Sequence, residues 1–383
     1  MKWLFVFSFC SLTFIAKSQV SDSVDYAHIK LISEADSLIA NYKFEKALNL
    51  LAKGDTLIID ILLRIGQCHS RLGASAAAIY PYERILKMDS ANLSALNQLG
   101  QLYARDGDFE KAYSTFAQLI KLDPTNSYYY KQAGSIASRL EDKTSAKKLY
   151  RKALSLNPAD IESSLALGNV LMELEEYESA DTVAQQALAI EPGFEPMLLL
   201  SAKSAFEQQH YESVIIAVNS LLESSDTTAL YARLLGISYF HQKEHEKLMT
   251  CMTYLLKNRY DFEWIYYYMG VSSRELGGVT SSLRWFRMAA EKSISENTKT
   301  YYSELGKSYE LLGDYQGAIR AYRAAYNYSK DGILLYHLAR NYDVYYKDKK
   351  LALEYYEKYL ESDDTIRLAR EYARKRMQDM GKF

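Results

Sequence analysis

The chain has 383 residues, 48% hydrophobic and 25% charged, with 46 basic and 48 acidic residues and a formal net charge of −2. So balanced a charge excludes the basic footprint of a nucleic-acid-binding domain. With only 17 Gly, 5 Pro and 3 Cys, the composition agrees with an all-helical protein that owes little to disulfides.

Residues 1–18, MKWLFVFSFCSLTFIAKS, put one early lysine before an apolar run from Trp3 to Ile15 and end in Ala16-Lys17-Ser18, a small-x-small cleavage pattern. The run is too short to span a bilayer and reads as a secretory signal peptide, with an uncleaved anchor as the alternative. Phe9 stands before Cys10 where lipoprotein signals resemble one another in having a small residue, so lipidation is rejected. Loss of Lys2 and Lys17 leaves 44 basic residues against 48 acidic, about −4. No membrane span is expected after cleavage. Residues 19–27 are polar and expected to be flexible. From His28 to Ile58, Leu31, Ala35 and Leu38 are followed by Ala47 and Leu51, the apolar faces of a shortened helical pair that would cap the N-terminal end.

The stretch Leu93 to Asn126 is the clearest unit in the chain. Leu96, Leu99, Gly100 and Tyr103 recur at i, i+3, i+4, i+7, one face of a helix. Arg105-Asp106-Gly107-Asp108 breaks the pattern: Gly107 suits the left-handed residue after a helix end, and Asp108 suits the next N-cap. Ala112, Phe116 and Leu119 then form the face of a second helix, which Pro124 stops. The spacing predicts a helix-turn-helix hairpin.

That hairpin recurs every 34 residues. Gly66, Gly100, Gly134, Gly168, Ala202, Gly236 and Gly270 form one column. Ala78, Ala112, Ala146 and Ala180, then Val214, Leu248 and Ser282, then Ala318 and Ala352 form a second, and Pro124, Pro158 and Pro192 a third. Small residues at fixed places mean helix axes crossing too closely for a larger side chain. Full repeats read 59–92, 93–126, 127–160, 161–194, 195–228, 229–262 and 263–296. Asn297 and Thr298 shift the frame, and two more follow at 299–332 and 333–366, with Gly306 in the small-residue place of the first and Arg340 in that of the second. Between 195 and 296 the consensus weakens, with Asp226, Tyr260 and Ile294 in the proline column, and a local change of curvature is expected. Ile366 to Met380 keeps Ala369, Tyr372, Ala373, Met377 and Met380 on one face, a capping helix within the C-terminal segment 367–383. Its Arg367, Arg370, Arg374, Lys375 and Arg376 read as a solvated face, with an anionic partner as the alternative.

A 34-residue period with small, aromatic, alanine and proline columns resembles the tetratricopeptide repeat. The resemblance covers residues 28–366 and implies one right-handed α-solenoid of about ten repeats that binds proteins without catalysing reactions. Repeats touch only their neighbours, so Cys68 and Cys251, five repeats apart, are not expected to meet. Abundant tyrosine and a mature N-terminus at Gln19 resemble envelope proteins of the Bacteroides and Flavobacterium group of bacteria, which implies a periplasmic or envelope location.

Short catalytic matches do not survive placement on the repeat. His241-Gln242-Lys243-Glu244-His245 fits the H-x-x-E-H zinc-peptidase pattern but spans a turn, so its imidazoles need not converge. Leu305-Gly306-Lys307-Ser308 looks like the end of a phosphate loop, yet Tyr301 replaces the first glycine and the segment lies inside a helix. Ser145-Ala146-Lys147-Lys148 matches S-x-x-K with Ala146 in the core column. His69 sits in a large-apolar column. No catalytic residue, metal site or cofactor is assigned.

The resemblance implies that first helices line a concave groove. At one place along it stand Arg71, Arg105, Arg139, Glu173, Glu207, His241 and Glu275, a change from basic to acidic that is either groove polarity or chance. Arg71, Asn97, Gln101, Arg105, Lys131 and Arg139 form a polar, basic section. Chaperone-binding relatives clamp a carboxylate with lysine and asparagine; here Ser135, Glu162 and Ala166 stand where later partners belong, and the clamp is absent. A second section holds Lys203, Phe206, Arg233, Phe240, Trp264, Tyr267, Tyr268 and Arg274. Trp, Tyr and Arg dominate binding hot spots because they bury much area with few rotors. The alternative is that these groups fill space between repeats. The expected function is a partner-binding scaffold of the cell envelope. A glycan or cell-wall binder using the same aromatics is the second reading, and a zinc hydrolase the third.

Overall fold

The computed structural model describes residues 28–223, 226–293, 297–364 and 366–381. The expected signal peptide (1–18), the flexible segment (19–27) and Ile294 lie outside the described residues. Every regular element among the described residues is a helix, and the helices follow one another as hairpins.

The chain divides into two compact units, Met1–Pro192 and Gly193–Phe383. The division falls at Pro192-Gly193, directly after a helix that proline cannot continue. In the first unit α1 (residues 28–40) pairs with α2 (Phe44–Leu51), α3 (Ile59–Arg71) with α4 (Ser75–Met88), α5 (Leu93–Asp106) with α6 (Phe109–Leu122), α7 (Ser127–Arg139) with α8 (Lys143–Leu156), and α9 (Ile161–Glu173) with α10 (Tyr177–Ile190). The second unit pairs α11 (Glu195–Glu207) with α12 (Tyr211–Leu222), α13 (Ala229–His241) with α14 (His245–Lys257), α15 (Glu263–Glu275) with α16 (Val279–Lys292), α17 (Thr298–Leu311) with α18 (Tyr315–Tyr328), and α19 (Gly332–Tyr345) with α20 (Lys350–Glu361). The helix α21 (Arg367–Asp379) closes it. Within each unit helices pack on their sequence neighbours, and first helices also meet, α3 with α5, α7 with α9 and α11 with α13. Each unit is therefore an all-α solenoid.

The columns acquire physical causes. All nine members of the alanine column, Val214, Leu248 and Ser282 included, are fully buried. Most of the glycine column lies under a large side chain sixteen residues later, Gly168 with Ala184 at that place being the exception. A Cβ at Gly66 would come 2.6 Å from the Tyr82 ring, at Gly100 2.8 Å from Phe116, and at Gly270 2.7 Å from Phe286. The same spacing survives the two-residue insertion, because Gly306 lies 2.8 Å by that measure from Tyr322. Asn297 is absorbed as the residue before α17, so the insertion costs the register nothing. At the last crossing Arg340 stands over the Tyr336 ring, 5.7 Å from its centroid.

Turns repeat as closely as cores. Gly107 has φ of 84°, and the Asp108 carboxylate accepts the Lys111 N–H at 3.2 Å. Asn92, Asn126, Asp142, Asp160, Thr228 and Asp314 cap their helices in the same way, satisfying amides that a helix start leaves open. The shortened N-terminal hairpin buries Ala35, Ala47 and Leu51 with Ile61 and Cys68 of α3. In α21, Ala369, Ala373 and Met377 pack with Tyr356 and Tyr359. Two of its cations are not solvated as expected. Arg370 donates to the Leu360, Ser362 and Asp364 carbonyls at 2.6, 3.2 and 2.9 Å, because the end of α20 leaves carbonyls unpaired. Arg376 pairs with the buried Asp343 at 2.9 Å.

Candidate functional site

In the second unit α11, α13 and α15 present the predicted aromatic section. The cause is local: Leu235, Gly236, Met269 and Gly270 are buried, which leaves the opposite faces of α13 and α15 toward solvent. Phe240 and Tyr268 meet edge to face with centroids 4.8 Å apart, Trp264 and Tyr268 at 6.2 Å, and Tyr267 and Tyr268 at 5.5 Å. Arg233 is exposed and lies 5.7 Å from the Trp264 ring centroid. Phe206 joins through Tyr211, whose ring stacks on His241 at 4.1 Å, while His241 meets Phe240 at 5.5 Å. The structure thus brings Phe206, Arg233, Phe240, Trp264, Tyr267 and Tyr268 into one connected, half-buried face. Lys203 is exposed on α11.

Arg274 is used differently. Its guanidinium donates to Glu304 at 2.6 Å and to the Ser308 hydroxyl at 3.4 Å, and lies over Phe286. Ser308 bonds in turn to Ser282 at 3.2 Å. Burial alone would raise the Glu304 carboxyl, but Lys307, at 2.7 Å, and Arg274 outweigh it and hold the group below its usual range. Sequence reasoning missed this network. Its visible trace was Ser282, a polar group in the alanine column.

Burial raises the Tyr267 and Tyr268 phenols and lowers the His241 imidazole. These groups are therefore neutral near pH 7 and act by shape and hydrogen bonding rather than charge. His245 takes a separate partner, the Ser272 hydroxyl at 3.1 Å. Among the described residues no cluster of three or more His, Cys, Asp or Glu is placed to hold a metal, and no helix is long and apolar enough to cross a membrane. Leu305-Gly306-Lys307-Ser308 lies within α17. Cys68 and Cys251 are free thiols.

The polar section in the first unit is only partly brought together. Arg71, Gln101 and Arg105 line one cleft of about 590 Å³. Gln101 also donates to Asn97 at 3.3 Å and to the Tyr128 hydroxyl at 2.9 Å. Lys131 is neutralised by Asp160 and Glu162 at 3.1 and 3.0 Å, and Arg139 lies over Phe109.

One model of the tetratricopeptide repeat matches residues 94–126, and another matches 127–160, 161–194 and 300–331. No curated protein matches the chain. Among solved structures it resembles a MamA protein, at 24% identity over 43% of this chain and 90% of that one, with a TM-score of 0.42. It also resembles a tetratricopeptide repeat protein from Parabacteroides merdae, at 15% identity over 65% and 98%, TM-score 0.44. A third is pilF of Pseudomonas aeruginosa, at 19% identity over 55% and 97%, TM-score 0.45. These likenesses extend no further than the fold. The chain carries tetratricopeptide repeats, matched at 94–126, 127–160, 161–194 and 300–331.

Proposed function

We propose that this protein is a non-enzymatic interaction scaffold, exported to the cell envelope, that seats a segment of a partner protein on the aromatic face of its second unit. The repeat family supports a protein-binding role. The observation that carries the site is the connected cluster of Arg233, Phe240, Trp264 and Tyr268, half-exposed on successive first helices. Such groups give much contact area at small entropic cost, and a groove of this kind fits an extended or helical segment. Export rests on the pattern of residues 1–18 and on the resemblance to envelope proteins.

A glycan reading requires open ring faces. Trp264 has one face under the Arg233 guanidinium, and its neighbours meet edge on, an arrangement that favours a protein segment over a stacked sugar.

The test places a photo-crosslinking amino acid at Lys203, which is exposed beside the cluster, in cells producing the tagged chain. A discrete protein adduct that disappears in an Arg233→Ala/Trp264→Ala variant of unchanged melting temperature supports the site; if these are hot spots the loss is at least ~2 kcal/mol. An adduct of equal yield in the variant places the interface elsewhere, and retention on cell-wall material without any adduct favours the glycan reading. N-terminal sequencing of the envelope fraction tests export, with Gln19 the expected first residue.

A further inference from the structure

Exposed apolar side chains are scattered along most of the chain, as on any folded protein, but they gather at its last hairpin. Of the 24 large apolar residues exposed among the described residues, seven fall between Val344 and Tyr372. The cause is local. Four residues, 346–349, join α19 to α20 where three join α7 to α8, and Tyr346 leaves its helix extended, with φ of −98° and ψ of 139°. This longer turn carries Val344, Tyr345, Tyr346 and Leu351 outward, each at least 40% exposed. Tyr346 is held by stacking on Tyr342 at 5.5 Å, and Tyr345 meets Tyr346 edge on at 4.7 Å. In α21 the buried strip of Ala369, Ala373 and Met377 leaves the opposite face open. Leu368, Tyr372 and Lys375 stand along that face at i, i+4, i+7, and Leu368 is 71% exposed.

The charge at this end runs against that of the whole chain. α21 carries five basic residues and two acidic ones, in a chain of net charge −2. Asp343 joins the turn to the helix, pairing with Lys349 at 3.3 Å and with Arg376 at 2.9 Å. Glu371 and Asp379 are taken by Arg367 and Arg376, and the Asp348 carboxylate accepts the Lys350 backbone N–H at 3.0 Å. Lys347, Lys350, Arg374 and Lys375 are exposed and enter no ion pair among the described residues.

Tyrosines with an apolar body and a polar tip, set beside unpaired cations, match the boundary of a bilayer, where rings sit among headgroups and cations meet phosphates. A second copy of the chain fits less well, because a two-fold contact would set these cations against their own copies. We propose that the 346–349 turn and the outward face of α21 dock on the surface of an anionic lipid bilayer. Tyr345, Tyr346 and Leu368 enter the interface, while Lys347, Lys350, Arg374 and Lys375 meet lipid phosphates. The chain lies on the membrane here without spanning it. Nothing in this docking depends on the aromatic face of α13 and α15 or on the partner it seats.

The test is co-sedimentation of the mature chain with vesicles of equimolar phosphatidylglycerol and phosphatidylcholine, beside vesicles of phosphatidylcholine alone. Binding to the anionic vesicles should be tighter by about tenfold or more, each basic residue near such a surface being worth about fivefold. Arg374→Gln/Lys375→Gln should weaken it by about tenfold or more, and Leu368→Ser by about threefold through lost apolar burial. These side chains are exposed, so melting temperatures should not change. A charge-matched control, Lys121→Gln/Arg320→Gln, alters two exposed residues elsewhere and should keep wild-type affinity. No preference for anionic vesicles, or equal loss in the control, overturns the proposal. An affinity indifferent to Leu368→Ser also overturns it, leaving a face that meets polyanions by charge alone, as an acidic protein would. A dimer in sedimentation equilibrium that Leu368→Ser dissolves overturns it in favour of a second copy.

Discussion

Gly270 lies beneath the ring of Phe286, so close that a methyl group on it would stand 2.7 Å from one ring carbon and 2.8 Å from the next. Phe286 is fully buried and cannot retreat. Gly270→Ala gains about 1 kcal/mol of helix propensity but forces an overpacked crossing that costs typically 1–3 kcal/mol. A net loss is expected in chemical denaturation, restored when Phe286→Leu is added. Gly236 is the contrast. A methyl there meets the terminal carbon of Met252, the far end of an unbranched side chain that can turn aside. Gly236→Ala should be neutral or stabilising, and equal losses at both glycines would refute the distinction.

In every hairpin but the last, α19–α20, a residue just after the first helix repeats its backbone as well as its place. Gly73, Gly107, Gly277 and Gly313 have positive φ, and so do Glu141, Glu175, Gln209 and Lys243, with φ near 60°. A side chain in that region costs roughly 1–2 kcal/mol. Glu141→Gly or Lys243→Gly should therefore stabilise the chain by about 0.5–1 kcal/mol after the entropic cost of glycine is met. Gly107→Ala should lose about as much, since nothing lies within 4 Å of its added methyl and only the backbone is strained. Thermal melts of the three variants decide it.

Arg274 was expected to project into the groove, but it holds Glu304. Arg274→Ala should lower stability by about 3 kcal/mol, because it strips one partner from a half-buried carboxylate network. Glu304 titrates below its usual range in the fold, so its contribution is present above the ordinary carboxylate pKa and fades as pH falls through the lowered one. The variant's deficit should accordingly shrink on acidification. A deficit unchanged down to pH 3, or loss of partner binding without loss of stability, would contradict this role.

His337 is a second buried titrating group. Burial, aided by Arg340 and Lys307, pushes its imidazole down to about 4, with Glu310 no nearer than 4.0 Å. Because the unfolded chain binds the proton first, stability should decline as pH falls from about 6.5 towards 4, by on the order of 3 kcal/mol in total. His337→Gln should remove that part of the acid sensitivity. Parallel pH profiles for the two proteins would show that His337 does not titrate as described.

The repeat is legible because helix periodicity and helix termination are local: Leu96, Leu99 and Tyr103 mark a face, and Gly107-Asp108 marks a turn, within a few residues of chain. Most partners of the glycine column, sixteen residues on, were equally visible, Tyr82, Phe116, Tyr150, Met252 and Phe286 standing opposite a glycine while Ala184 stands at that place for Gly168. The site was legible in part. Helical phase placed Arg233, Phe240, Trp264 and Tyr268 on one face, since a buried strip of Leu235, Gly236, Met269 and Gly270 forces the remainder outward. It could not distinguish Arg274 from Arg233, because the choice between an internal carboxylate and solvent depends on Glu304, which lies in the next hairpin.

The sequence by itself therefore determined the hairpin, its period, its caps and its all-helical class, properties set by neighbours within about 34 residues. The tertiary structure decided which charges are used internally. It turned Arg370 onto the end of α20, paired Arg376 with Asp343 and left Arg71 and Arg105 without a carboxylate in their cleft. Long side chains of like charge look the same in a linear pattern, and only their distance from carboxylates and carbonyls on other helices separates a structural ion pair from a binding surface.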